Sequence, residues 1–147
     1  MNASGPYIAE IPRRGIAVFI DYFLFSFFYA LFLIKFGETE TVNGRLEYYL
    51  DWPIKAVPFV VWVLTFPVLE SFEGKTVGKR IMKLQVVRLD GGTFTLLDSL
   101  KRRLLDWIDF AFLGLPSIIS SQNSPTRQRF GDRFAKTTVI DTREIVA

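Results

Sequence analysis

The sequence predicts a mainly α integral membrane protein. It should hold two transmembrane helices, a re-entrant or third apolar helix, an amphipathic basic helix and a short cytoplasmic β-strand pair. Three observations carry that class. Half of the 147 residues are hydrophobic and fifteen are phenylalanine, unusual for a soluble domain. Charged residues still make up 22 %, but they gather outside two or three apolar stretches. Their signs also segregate. Residues 37–51 hold Glu38, Glu40, Glu47 and Asp51 against Arg45, whereas residues 71–103 hold eight cations against three acids.

Residues 13–28 read RRGIAVFIDYFLFSFF. The first span is placed at about 15–34, where 20 residues carry one charge, Asp21. A helix of that length covers ~30 Å, the thickness of the bilayer core. The run is too long for a signal peptide and no small-residue cleavage site follows it. Arg13 and Arg14 hold the N-terminus in the cytoplasm, so the acidic stretch 37–51 falls outside. Its end, YYLDWP, brings aromatic residues to an interface. The second span is placed at about 53–72. Lys55 and Glu70 lie near its two ends, and Pro58 and Pro67 loosen it.

A cytoplasmic loop, 73–103, follows. LQVVRL is β-branched, and DGG signals a turn. Thr95 and Asp98 form a capping-box start for a helix over 95–109. Leu97, Leu100, Leu104, Ile108 and Ala111 share one stripe of that helix. Asp98, Ser99, Arg102, Arg103, Asp106 and Asp109 share the other, which suits a helix lying among headgroups. The third apolar segment, about 104–121, is broken by Gly114-Leu115-Pro116 and is either a crossing or a re-entrant hairpin. The tail, 122–147, is basic, and its KTTVID segment reads as a strand able to pair with LQVVRL. Both features ask for an even number of crossings, which favours the re-entrant form within one membrane domain, 1–147.

Composition excludes some chemistry. Without cysteine or histidine there is no disulfide, no thiolate nucleophile and no Cys/His zinc site. No metal, cofactor or enzymatic activity is expected. GKTVGKR at 74–80 is not a P-loop, because three residues rather than four separate its glycines. Lys75, Lys79, Arg80, Arg102 and Arg103 are expected to face anionic lipid headgroups. Nucleic acid is an unsuited partner, since no recognised module accompanies the basic cluster.

Asp21 is the sharpest question. A carboxylate ~9 Å into a span costs ~3 kcal/mol or more unless it is paired, protonated or wet. Arg14 shares its face, but both side chains lean toward the N-terminus, which points Arg14 into the interface. Arg102, Arg103 and Arg129 are the candidate partners for Asp21. Asp106 and Asp109, one turn beyond Arg102 and Arg103, could bind a cation or relay protons, or form a solvated face.

Four pieces together resemble the RDD family of small membrane proteins. They are Arg14 and Asp21 in RRGIAVFIDY, the stretch GKTVGKRIMKLQVV…DGG, the basic helix LKRRLLD, and RQRFGDRFAKTTVI. They run from about 13 to 141. The family is named for an arginine at the start of the first helix and two aspartates. Arg14 and Asp21 match the first two, and Asp132 is the choice for the second aspartate, ahead of Asp106 and Asp109. The resemblance implies an integral membrane domain of the bacterial inner membrane and suggests transport. A cation or proton antiporter component would use Asp21 with Arg14 tuning it, and two spans would require a homo-oligomer or a larger complex. A scaffold binding a partner protein or anionic lipid is the alternative. An intramembrane hydrolase with Asp21 and Asp132 as a dyad is the remote one.

Overall fold

A chain that begins Ile-Pro-Arg-Arg and then runs apolar is set to start a helix. Proline is suited to the first helical turn, where its missing N–H has no partner to lose. In the computed structural model, which describes residues 7–106 and 115–144, helix α1 runs Ile11–Phe36. Only Arg14, Ala17 and Asp21 of α1 are buried, and Phe19 and Ile34 stand 70 % exposed. An apolar surface of that extent calls for lipid rather than water.

The acidic stretch after α1 folds into a hairpin, β1 (Glu38–Val42) with β2 (Arg45–Tyr49). Asn43 and Gly44 both take positive φ, the geometry of a two-residue primed turn. Helix α2 follows over Ala56–Glu73. Its middle, Leu64–Val68, is a π turn around Pro67, which absorbs the missing N–H without ending the helix. Phe66, fully buried in that turn, stacks on Tyr22 of α1 at 5.0 Å and touches Phe25 at 6.0 Å. Among the described residues, α1 and α2 are the two helices long and apolar enough to cross a membrane.

Gly74 ends α2 with φ +68, and a Cβ there would run into the Val86 carbonyl. Beyond it come α3 (Val77–Ile81), β3 (Leu84–Arg88), α4 (Leu96–Leu104), α5 (Leu115–Gln122), α6 (Phe130–Phe134) and β4 (Thr137–Asp141). Strands β3 and β4 pair antiparallel, Leu84 opposite Asp141 and Val86 opposite Val139. This is the pairing that LQVVRL and KTTVID anticipated. On the other edge of β4, the Ala9 amide donates to the Val139 carbonyl (2.9 Å) and the Asp141 amide donates to Tyr7 (2.8 Å). The small apolar core of Ala9, Ala17, Leu84, Val86 and Val139 sits there, at the N-terminal end of α1. The chain between β3 and β4 therefore leaves and returns at that one end. It contains the anticipated third apolar segment, of which residues 107–114 lie outside the described residues.

The pairing has an internal symmetry that the sequence reading did not anticipate. Residues 76–89 and 129–142 adopt the same conformation. The extended Thr76 and Arg129 begin α3 and α6, Lys83 (φ 55) and Lys136 (φ 53) take the left-handed turn, and β3 and β4 follow. The flanking bonds match as well. The Leu89 amide donates to Lys136 (3.0 Å), and the Thr142 amide donates to Lys83 (2.9 Å). Helices α1 and α4 repeat the pattern. A Cβ on Gly78 of α3 would strike the Ala17 carbonyl of α1, and one on Gly131 of α6 would strike the Arg102 carbonyl of α4. Arg13 of α1 pairs with Asp141 at the end of β4 (3.1 Å), and Asp98 of α4 pairs with Arg88 at the end of β3 (3.0 Å), with the charges exchanged. Two helix–helix–strand units are thus related by an approximate two-fold between Val86 and Val139.

Equivalent glycines should respond alike. Gly78→Ala and Gly131→Ala should each lower stability by about 1–3 kcal/mol, the usual cost of forcing extra volume into a closed contact. Gly15→Ala, with open space around the position, should be neutral or stabilising by up to about 1 kcal/mol. Unfolding of the detergent-solubilised protein followed by tryptophan fluorescence decides. Losses at both glycines but not at Gly15 are expected, and a loss at one alone would break the equivalence.

Candidate functional site

Asp132 is the most enclosed of the residues singled out from the sequence. As the third residue of α6 its carboxylate turns back to accept from the Arg129 amide (3.1 Å), satisfying a donor the helix leaves open. Its Oδ2 also accepts from the Arg14 guanidinium, and its Oδ1 lies 2.5 Å from Arg102 Nη1. Arg14 spans further, donating to the Arg127 carbonyl, and Arg102 donates to the Thr137 hydroxyl (2.7 Å). Burial alone would raise the Asp132 pKa. The guanidiniums of Arg102, Arg14 and Arg129 outweigh it and hold the carboxyl well below the usual range. Arg14 thus turns inward and grips the second unit, whereas its helix direction had pointed it into the interface.

Asp21 has neutral partners. The Thr76 hydroxyl donates to Oδ2 (2.5 Å) and the Gly78 amide donates to Oδ1 (2.7 Å). The carboxylate closes the N-terminus of α3 from across the helix contact, where open amides favour negative charge. Arg102, Arg103 and Arg129, anticipated as its partners, go to other carboxylates. Gly78 permits the arrangement, because nothing larger fits between Ala17 and the Asp21 carboxylate.

A third carboxylate, Glu70 near the end of α2, is fully buried. It accepts from Lys79 of α3 and from the Ser99 hydroxyl of α4 (2.5 Å), with Arg103 at 3.8 Å. Burial pushes the Lys79 ammonium down to about 8 although Glu70 pulls the other way. Arg103 lies over the Phe66 ring at 4.9 Å and donates to Asp106 (3.1 Å), and Arg129 lies 3.9 Å from Asp106.

These contacts correct part of the surface reading. Lys79, Arg102 and Arg103 do not face lipid headgroups. Their side chains are buried because each has a carboxylate inside the protein to meet. The polar stripe of α4 is turned inward, and Leu97 and Leu104 of the apolar stripe stand 59 % and 67 % exposed. Lys75 is half-buried, and Arg80 is exposed beside Glu73. Asp106 joins the cluster, whereas Asp109 lies outside the described residues. Glu70, Thr76 and Ser99 were not picked out as members of a site. The buried character of Glu70 was legible as an acid near the end of an apolar span with lysine nine residues on. Thr76 and Ser99 carry no such signal.

Between α1, α5 and the end of α4, under the two strands, lies a cavity of about 460 Å³. Ile11, Val18, Leu84 and Ile118 give it apolar walls, and Arg14, Lys79, Arg103, Arg129 and Asp106 bring charge to it. Small-molecule sites have this size and this mixture of apolar wall with a few converging polar groups. No metal-binding group of three or more carboxylates is present among the described residues.

Residues 8–136 match the profile of the RDD family, the family that the four sequence pieces resemble. No curated protein and no solved structure matches the chain. Family membership and the two apolar helices point to a membrane protein.

The two aspartates should separate by the charge of their partners. Asp132→Asn strands two buried guanidiniums and should cost about 3–5 kcal/mol. Asp21→Asn keeps one acceptor toward neutral donors and should cost about 1–3 kcal/mol. Because the folded-state pKa of Asp132 is depressed, its contribution is complete above the ordinary carboxylate value of about 4 and fades as pH falls below it. Unfolding in detergent between pH 2 and 7 should therefore show an acid limb that flattens in Asp132→Asn. An unchanged limb, or a larger loss from Asp21→Asn, would reverse the ranking.

Proposed function

The chain belongs to the RDD family, and on that premise we propose that it is the membrane-embedded, ligand-handling unit of a transport system. The observation that carries this reading is the cavity between α1, α5 and the end of α4. It lies at the interface of two structurally equivalent units, where transporters built from repeats hold their substrates. Two spanning helices enclose no complete pathway, so the unit acts as a homo-oligomer or within a larger membrane complex. The positive-inside bias supports a cytoplasmic N-terminus in a bacterial inner membrane. The strand pair then lies on the cytoplasmic side. The return of the chain to β4 supports a re-entrant course for the third apolar segment. Lys75 and Arg80, outside the buried cluster, remain available to anionic headgroups.

Antiport of a cation or proton at Asp21 is the weaker form of the reading, because both carboxylate oxygens already accept from the chain. Asp21 and Asp132 take separate sets of donors, which gives a hydrolytic dyad no support. A scaffold role is favoured by a different observation: Arg14, Asp21 and Asp132 are all engaged in joining the two units. Filling the cavity separates the two readings without touching an ion pair.

The purified protein and Ile118→Trp should be placed in vesicles at matched amounts. One arm records collapse of a pH gradient on adding sodium or potassium. The other records movement of a fluorescent phosphatidylglycerol between leaflets. Flux in either arm, lost in folded Ile118→Trp, is the expected result. No flux in either arm from the wild-type protein would overturn transport and favour the scaffold.

A further inference from the structure

We propose that a second cavity, between α1, α2 and α4, binds a lipid-soluble planar ring that carries carbonyl acceptors, the chemistry of a membrane quinone. The inference goes beyond the transport reading and does not rest on it. The space measures about 440 Å³, within the range of small-molecule sites. Phe25 and Tyr29 of α1, Phe59 and Trp62 of α2, and Leu100 and Leu104 of α4 line it. Tyr29, Phe59 and Leu104 stand 40 %, 66 % and 67 % exposed, so the groove opens on the apolar surface that a membrane protein turns to lipid. Arg103 also borders it, but Glu70 and Asp106 hold that guanidinium and it has no part in the recognition.

Two donors call for acceptors on the occupant. The Tyr29 hydroxyl and the Trp62 indole N–H have no hydrogen-bond partner among the described residues. Tyr29 comes seven residues before Phe36, the end of α1, and Trp62 six residues after Ala56, the start of α2. Those separations are ~10 Å and ~9 Å of helix rise, which places both side chains within the hydrocarbon layer. A donor left open there costs free energy, because no water is at hand to receive it. The indole N–H can only donate, so the group that meets it is an acceptor.

The walls call for a ring. Phe59 and Trp62 stack at 6.3 Å with their planes 17° apart, and Trp62 continues to Phe66 at 5.9 Å. A flat conjugated ring against this surface gains offset stacking beyond the area it buries. A saturated acyl chain would fill the same space without stacking and without an acceptor. The π turn at Leu64–Val68 adjoins Trp62, and such turns are frequent at functional sites. Leu100 and Leu104 leave an apolar side for the chain that keeps such a ring in the membrane.

The test is equilibrium gel filtration of the full chain in detergent, read by the absorbance of the bound probe. The probes are a naphthoquinone with a short prenyl chain and the prenyl naphthalene that lacks its carbonyls, with dioleoyl phosphatidylcholine as competitor. One naphthoquinone per chain, bound about tenfold or more tightly than the naphthalene, is the expected result for two recovered hydrogen bonds. Tyr29→Phe and Trp62→Phe each keep a ring and remove a donor. Each should weaken the naphthoquinone about three- to tenfold and change the naphthalene little. Phe59→Ala should weaken both probes, and Ile118→Trp, in the other cavity, neither. Each variant is compared with wild type for its unfolding temperature. Equal binding of the two probes, or naphthoquinone binding unchanged in both Tyr29→Phe and Trp62→Phe, would overturn the proposal. So would loss of the naphthoquinone in Ile118→Trp, which would move it to the other cavity. Displacement by equimolar phosphatidylcholine would give the groove to ordinary lipid instead. An empty groove in a dimer that Phe59→Ala dissociates would give it to a second copy of the chain.

Discussion

A carboxylate held between two guanidiniums is the joint on which the rest of the molecule depends. Asp132 belongs to α6 of the second unit, Arg14 to α1 of the first, and Arg102 to α4 of the second. Burying one of these charges alone would cost several kcal/mol, and the Coulomb attraction repays it only when the geometry is closed. Closure here comes from the backbone. The Arg129 amide and Arg127 carbonyl fix where the carboxylate and guanidinium sit, and both belong to the segment that begins α6. Because Arg13 reaches β4 from the next position on α1, two adjacent residues tie that helix to the strand pair. The chain connecting them is more than a hundred residues long.

The same joint explains why α4 is turned inside out relative to a soluble amphipathic helix. Its polar stripe supplies Asp98, Ser99, Arg102 and Arg103 to partners on β3, α2 and α6. Its leucines are left outside. In water that arrangement would expose apolar surface without gain. Against lipid it costs little, and the charged groups avoid the hydrocarbon by finding one another. Exposed leucines and buried arginines are thus one consequence of one solvent.

Much of this was legible in the order of residues. The two apolar helices follow from run length, the β3–β4 pairing from two β-branched segments, and the start of α4 from Thr95 and Asp98. Asp132 could be singled out by resemblance. Partner choice was not legible. A carboxylate inside an apolar span points to a cationic partner, whereas the backbone amide at a short helix that Asp21 meets is invisible in a sequence. The buried face of α4 is not legible in the sequence, because amphipathicity names two faces without saying which one meets protein. The NG turn of the hairpin and the shared pattern Gly-x-Arg-x-x-Lys-x-x-Val at 78–86 and 131–139 were both present. The second is short and separated by more than forty residues, so structural equivalence rather than identity brings it out.

The equivalence also shows where the two units have parted. Position 17 of α1 matches position 102 of α4 through the paired glycine contacts, so Val18 corresponds to Arg103 and Asp21 to Asp106. Val18 and Arg103 both line the cavity. One unit thus offers it an apolar side chain where the other offers a guanidinium. Asp21 closes α3 through a backbone amide. Asp106 instead meets the side chains of Arg103 and Arg129. A symmetric pair of units would present the same chemistry to both sides of the space between them. Here the first unit supplies most of the apolar wall, Ile11, Ala17, Val18 and Leu84, whereas the four lining cations come two from each unit, Arg14 and Lys79 from the first and Arg103 and Arg129 from the second, so the units have parted in their apolar surface more than in their charge.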